Sequence, residues 1–137
     1  MAEISKARLV ALSDAKLHDA KLLLNAGSSG NAYYLAGYAI ELTLKAILSA
    51  QFKADTLPDR SLLKDVFTHD FSKLVKMCRL EDELKLRRQT DVEFEGFWQI
   101  VDGWDEASRY GDVTRDDASN LVRAIEGGIL PWLRSKL

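Results

Sequence analysis

The chain has 137 residues, 47% of them hydrophobic and 29% charged, with three tryptophans and a formal net charge of −2. That balance excludes a disordered chain and a broadly basic, phosphate-tracking surface, so any contact with nucleic acid has to use a local patch. The length suits one domain with a real core, and a single cysteine, Cys78, excludes an intrachain disulfide and a cysteine-based metal framework.

The opening MAEISKARLV is charged and lacks the apolar centre of a signal peptide, and no apolar run reaches the length of a membrane span. A cytoplasmic protein with no membrane partner is expected. Glu3 to about Ala26 reads as a first helix, because Val10, Ser13, Leu17, Ala20 and Leu24 recur at alternating steps of three and four. Gly27-Ser28-Ser29-Gly30 breaks that pattern, and Ser29 or Asn31 is placed to cap a second helix. So short a connection makes the first two helices antiparallel neighbours.

Asn31 to Phe52 is the stretch around which the chain must be built. On a helical wheel Ala32, Ala36, Ala39, Thr43, Ala46 and Ala50 form a strip of small residues, the natural seat for the first helix. Larger apolar residues flank that strip, and Tyr34, Tyr38, Glu41, Lys45 and Leu48 lie opposite. A helix apolar nearly all round is expected to be buried. Its only charges, Glu41 and Lys45, are four residues apart in the favourable order, and a buried charge without a partner is costly.

Lys53 to Phe67, with Pro58, reads as a loop holding one short helical turn near residues 61–66. Thr68 is placed to cap a third helix from His69 to about Arg79, with Phe71, Leu74, Val75 and Cys78 on one face. Glu81 to Thr90 is charged and helix-favouring, with Leu80, Leu84 and Leu86 as its inward residues. Asp91 starts a further helix to about Trp104, whose Phe94, Phe97, Trp98, Val101 and Trp104 should fill the core. Asp105 to Val113 holds no period and reads as a loop. Thr114 with Asp117 looks like a capping box, and Gly127-Gly128 with Pro131 should kink or divide the last helix. The expected class is all-α, one compact bundle of four to five helices over residues 1–137.

Three stretches resemble one family. AYYLAGYAIELTLKAIL at 32–48 resembles the signature helix of the HEPN domains, small helical proteins named for nucleotide binding, and HDFSKL at 69–74 and WDEASRY at 104–110 come after it in the family's order. The resemblance implies a HEPN-like bundle with a long antiparallel N-terminal pair. It implies a homodimer paired near the arginine loop, and a partner of the minimal nucleotidyltransferase type or a place in a toxin–antitoxin pair.

HEPN ribonucleases carry an arginine and a histidine with four to six residues between them. The chain has His18 and His69, whose windows read Ala11-Leu12-Ser13 and Leu62-Leu63-Lys64, without arginine. The matching region, Ser108 to Arg115, has no histidine. No catalytic residue is therefore assigned, and a non-catalytic module for a nucleotide, an RNA or a partner protein is expected, without cofactor or metal. In the family the three stretches converge, which implies a candidate ligand site of Tyr34, Tyr38, Glu41, Lys45, His69, Asp70, Arg109 and Tyr110. Lys45 and Arg109 would contact an anion there, and the tyrosines would stack on a base. Two alternatives stand beside it: a ribonuclease-like or nucleotide-processing enzyme using Arg109, His69 and Glu41, and a structural adaptor in which the same charges form an internal network. His18 reads as surface. The basic run Lys85, Arg87 and Arg88, with Lys76 and Arg79 upstream, reads as a solvated helix face.

Overall fold

Every regular element is helical in the computed structural model, which describes residues 4–52, 54–58 and 60–137, with the backbone alone of Ser61 and Arg109. The elements are α1 (Lys6–Asn25), α2 (Ser29–Ser49), α3 (Arg60–Asp65), α4 (Phe71–Met77), α5 (Glu81–Thr90), α6 (Val92–Asp102), a 3₁₀ turn (Glu106–Tyr110), α7 (Arg115–Ala124), a π-helical segment (Ile125–Ile129) and α8 (Leu130–Arg134). Because α7, the π segment and α8 run on without a break, the described residues make seven helical rods rather than four to five. Two of these, α3 and α4, have fewer than eight residues. None of the described helices is long and apolar enough to cross a membrane.

Serine starts α1: the Ser5 hydroxyl accepts from the Arg8 amide at 3.1 Å, which satisfies one of the amides a helix start leaves unpaired. The expected start at Glu3 lies outside the described residues. At its end Gly27 takes φ +86°, and the Ser28 and Gly27 amides return to Leu23 O and Leu24 O at 2.8 and 3.1 Å, a left-handed closure that turns the chain back along itself. Ser28, not Ser29 or Asn31, occupies the cap of α2. Its hydroxyl accepts from Asn31 Nδ2 at 3.0 Å instead of holding a backbone amide.

The small strip of α2 receives α1 as expected. Ala32, Ala36, Ala39, Thr43 and Ala46 are buried, and Ser13 from α1 reaches into the strip. The Ser13 and Thr43 hydroxyls lie 2.6 Å apart, and both approach the Ala39 carbonyl, at 2.8 and 2.9 Å. Close backbone approach and satisfied hydroxyls are two consequences of one choice of small residues. Helices α4, α7 and α8 and the 3₁₀ turn contact the rest of α2, leaving eleven of its 21 residues buried. That makes it the central rod of the domain.

The aromatic residues of α6 close the other side of the core. Phe94, Trp98 and Val101 are buried, and Phe94 meets Trp132 edge-on with centroids 5.4 Å apart. Asp91 caps α6 by accepting from the Phe94 amide at 3.0 Å, and the Thr114–Asp117 capping box forms in full at the start of α7. Leu86, expected to point inward, is 61% exposed. It stands about 200° around the helix from Leu84, which is buried. Two residues of the basic run are engaged: Arg88 grips Glu95 with two bonds at 2.6 and 3.0 Å, and Arg87 lies 4.7 Å over the Phe94 ring. The hydrogen bond from Arg88, with a second from Gln99, holds the Glu95 carboxyl at about 2, well below the usual carboxylate range.

Candidate functional site

Asp70, not Thr68, caps α4, accepting from the Lys73 amide at 3.2 Å. Thr68 in turn accepts from the Asp70 amide at 3.2 Å. His69 therefore precedes the helix instead of starting it, and its ring reaches across to α2.

Two aromatic residues set where that ring goes. Trp104 donates from Nε1 to the Tyr33 carbonyl at 3.1 Å and stacks on Phe71 with centroids 5.0 Å apart and planes 8° apart. Its indole lies directly over Gly37, where a Cβ would come within 2.1 Å of Trp104 Cε2. Phe71 is two residues after His69 and Trp104 two residues before Glu106, so the stacked pair brings the histidine and the second carboxylate to the same edge of α2. Asp105 fixes the turn between them by accepting from the Ala107 amide at 2.6 Å.

The result is a four-member polar chain. Lys45 Nζ donates to Glu41 Oε2 at 3.1 Å, His69 Nδ1 stands 2.7 Å from Glu41 Oε1, and His69 Nε2 stands 3.0 Å from Glu106 Oε2. Glu41 is 1% exposed, and each of its oxygens has a partner, as a buried carboxylate requires. A neutral imidazole carries one N–H, which the buried Glu41 claims at Nδ1, and then Nε2 is an acceptor facing Glu106. Only the doubly protonated ring donates to both carboxylates.

Of the expected site residues, Tyr34, Tyr38, Glu41, Lys45 and His69 come together. Tyr34 stacks on Tyr38 at 6.0 Å and meets Trp104 edge-on at 6.3 Å. Lys16 lies 5.9 Å from the centre of the Tyr38 ring. Burial, then the nearby Glu41 charge, raises the Tyr38 hydroxyl above its ordinary value. Asp70 borders the same region but is engaged as a cap. Tyr110 is 79% exposed at the end of the 3₁₀ turn. The Arg109 side chain lies outside the described residues. The segment read as a loop from Asp105 to Val113 holds that turn, and in it Glu106, which the sequence reading missed. Its one signal was a position inside WDEASRY, two residues after the tryptophan.

Two depressions meet this chain. One, of about 490 Å³, is lined by His69 and Trp104 together with Asp70, Asp102, Asp105 and Glu106, so it is acidic. The other, of about 770 Å³, is apolar and has Glu41 and Lys45 on its wall. Cys78 takes part in neither. Its thiol donates to the Leu44 carbonyl at 3.2 Å, and burial pushes it up to about 12, so no thiolate nucleophile forms near neutral pH. Among the described residues no three His, Cys, Asp or Glu side chains gather at a spacing that would hold a metal ion. Comparisons with protein-family models, with curated proteins and with solved structures return no match for this chain.

Proposed function

We propose that the chain acts in the cytoplasm as a non-catalytic binding module of the HEPN type, and that a partner protein, rather than a nucleotide or RNA, is its principal ligand. The observation that carries this reading is the engagement of Lys45 beside an acidic cleft. Lys45, one of the two expected anion contacts, is held by a carboxylate that is itself 1% exposed, and the cleft beside His69 is lined by four acidic residues. A phosphate entering that cleft would meet like charge and lose far more solvation than it gained. The missing arginine–histidine spacing points the same way. The resemblance further places such a module beside a minimal nucleotidyltransferase or in a toxin–antitoxin pair, self-associated as a homodimer. Sedimentation at micromolar concentration checks the last point, with twice the chain's mass expected and a monomer counting against it.

A ribonuclease-like or nucleotide-processing enzyme is the second reading, and one feature favours it. Buried Glu41 fixes the orientation of the His69 ring at the rim of the acidic cleft, with Nε2 beside Glu106, and a carboxylate-oriented imidazole is a common general base. The two readings part in a cleavage assay with single-stranded and structured RNA. The binding module leaves both substrates intact; specific cleavage that disappears in His69→Ala establishes the enzyme instead.

A further inference from the structure

The apolar depression has an unusual charge distribution. Ile4, Leu9, Leu42, Leu48, Phe52 and Phe67 line it, and three of these are large side chains left in solvent: Ile4 at 61%, Phe52 at 41% and Phe67 at 79%. It continues into a second apolar hollow of about 420 Å³ that shares Ile4, Leu9, Tyr38 and Leu42 with it. The two together run along α2 from Tyr34 to Ala50, a rise of about 24 Å. Lysines border this trough, namely Lys6, Lys16 and Lys45. Its one acidic lining residue among the described residues is Glu41, buried and already held by Lys45 and His69.

We propose that this trough is the docking site for an acidic amphipathic helix of a partner protein, one that lays an apolar stripe between α1 and α2 and sets carboxylates against Lys6 and Lys16. The proposal rests on the binding-module reading above and names the kind of partner it takes. Length argues for a helix, since about four turns match a trough of this extent. Charge argues for acidic flanks, because an apolar stripe bordered by glutamates meets lysines on this rim. The same charge argues against a second copy seated face to face, since a two-fold axis through the trough brings one lysine-bordered rim against another.

The test uses the full chain and two fluorescein-labelled 18-residue peptides, read by fluorescence anisotropy. Both carry leucines at helical three- and four-residue spacing; one has glutamates at the flanking positions and the other has lysines there. The glutamate peptide is expected to bind at least tenfold more tightly than the lysine peptide, and more weakly as salt is raised. Phe67→Asp and Lys16→Glu, both at side chains outside the core, are each expected to weaken it at least fivefold with the fold retained by circular dichroism. Equal binding of the two peptides, or binding of neither, overturns the proposal. So does a sedimentation result in which Phe67→Asp turns a dimer into a monomer, which assigns the trough to a second copy. RNA takes no part in this experiment, so its failure is distinct from failure of the RNA cleavage test.

Discussion

Glu41 occupies a setting its side chain rarely accepts, a carboxylate buried on the central helix of a small domain. It is tolerated because the ammonium of Lys45 and the ring of His69 take one oxygen each. Half of that arrangement was legible in the sequence, since Glu-then-Lys at four residues predicts a same-face pair. The histidine entered only through the resemblance. Glu106 had no signal beyond its place in WDEASRY, because nothing local relates a residue of the 3₁₀ turn to one on α2; the stacked Phe71–Trp104 pair makes that link. Gly37 shows the same limit. A mid-helix glycine costs up to about 1 kcal/mol of helix stability, yet the Trp104 indole occupies the space a Cβ would need. Gly37→Ala therefore gains in propensity and still loses about 2 kcal/mol or more overall through overpacking, read by urea denaturation. A variant as stable as the parent shows that the indole does not rest on this glycine.

At the scale of elements, two of the expected caps hold and two do not, since α2 is capped at Ser28 and α4 at Asp70. Asp91 and the Thr114–Asp117 box cap as their sequences imply, because capping depends on residues three apart. Thr68 and Asp70 competed for one helix, and Asp70 holds the cap because the buried face begins at Phe71. Two helix ends use the same left-handed closure with different residues. After α1 it falls on Gly27, whereas after α4 it falls on Arg79 at φ +60°, with the Leu80 amide returning to Val75 O at 3.0 Å. A non-glycine there carries a steric cost that burial of Leu80 and Val75 offsets. The last helix is interrupted where its sequence implies, by a π segment that holds both glycines between α7 and α8. Gly127 and Gly128 lie in a π-helical turn that carries the chain into α8 without a loop, with the Leu130 amide bonding Ile125 O. That wider turn accommodates the amide Pro131 lacks, and the glycines leave room for the Phe97 ring, which a Cβ on Gly128 would meet at 2.7 Å.

For the whole molecule, the reading of the site depends on whether the polar chain at the centre is structural or is held ready for a ligand. In the structural case one buried carboxylate ties α2 to the segment before α4, whose His69 in turn holds the 3₁₀ turn, and removing it loosens that junction. In the ligand-ready case the cations are screened by water and the carboxylate adds little to stability. Equilibrium urea unfolding of Glu41→Ala beside the parent chain, followed by tryptophan fluorescence, separates them most directly. One cooperative transition is expected in both proteins, with the variant less stable by roughly 3–5 kcal/mol, as when a buried, paired charge is removed. A loss below about 1 kcal/mol contradicts the structural case and returns Glu41, Lys45 and His69 to an open site awaiting a ligand.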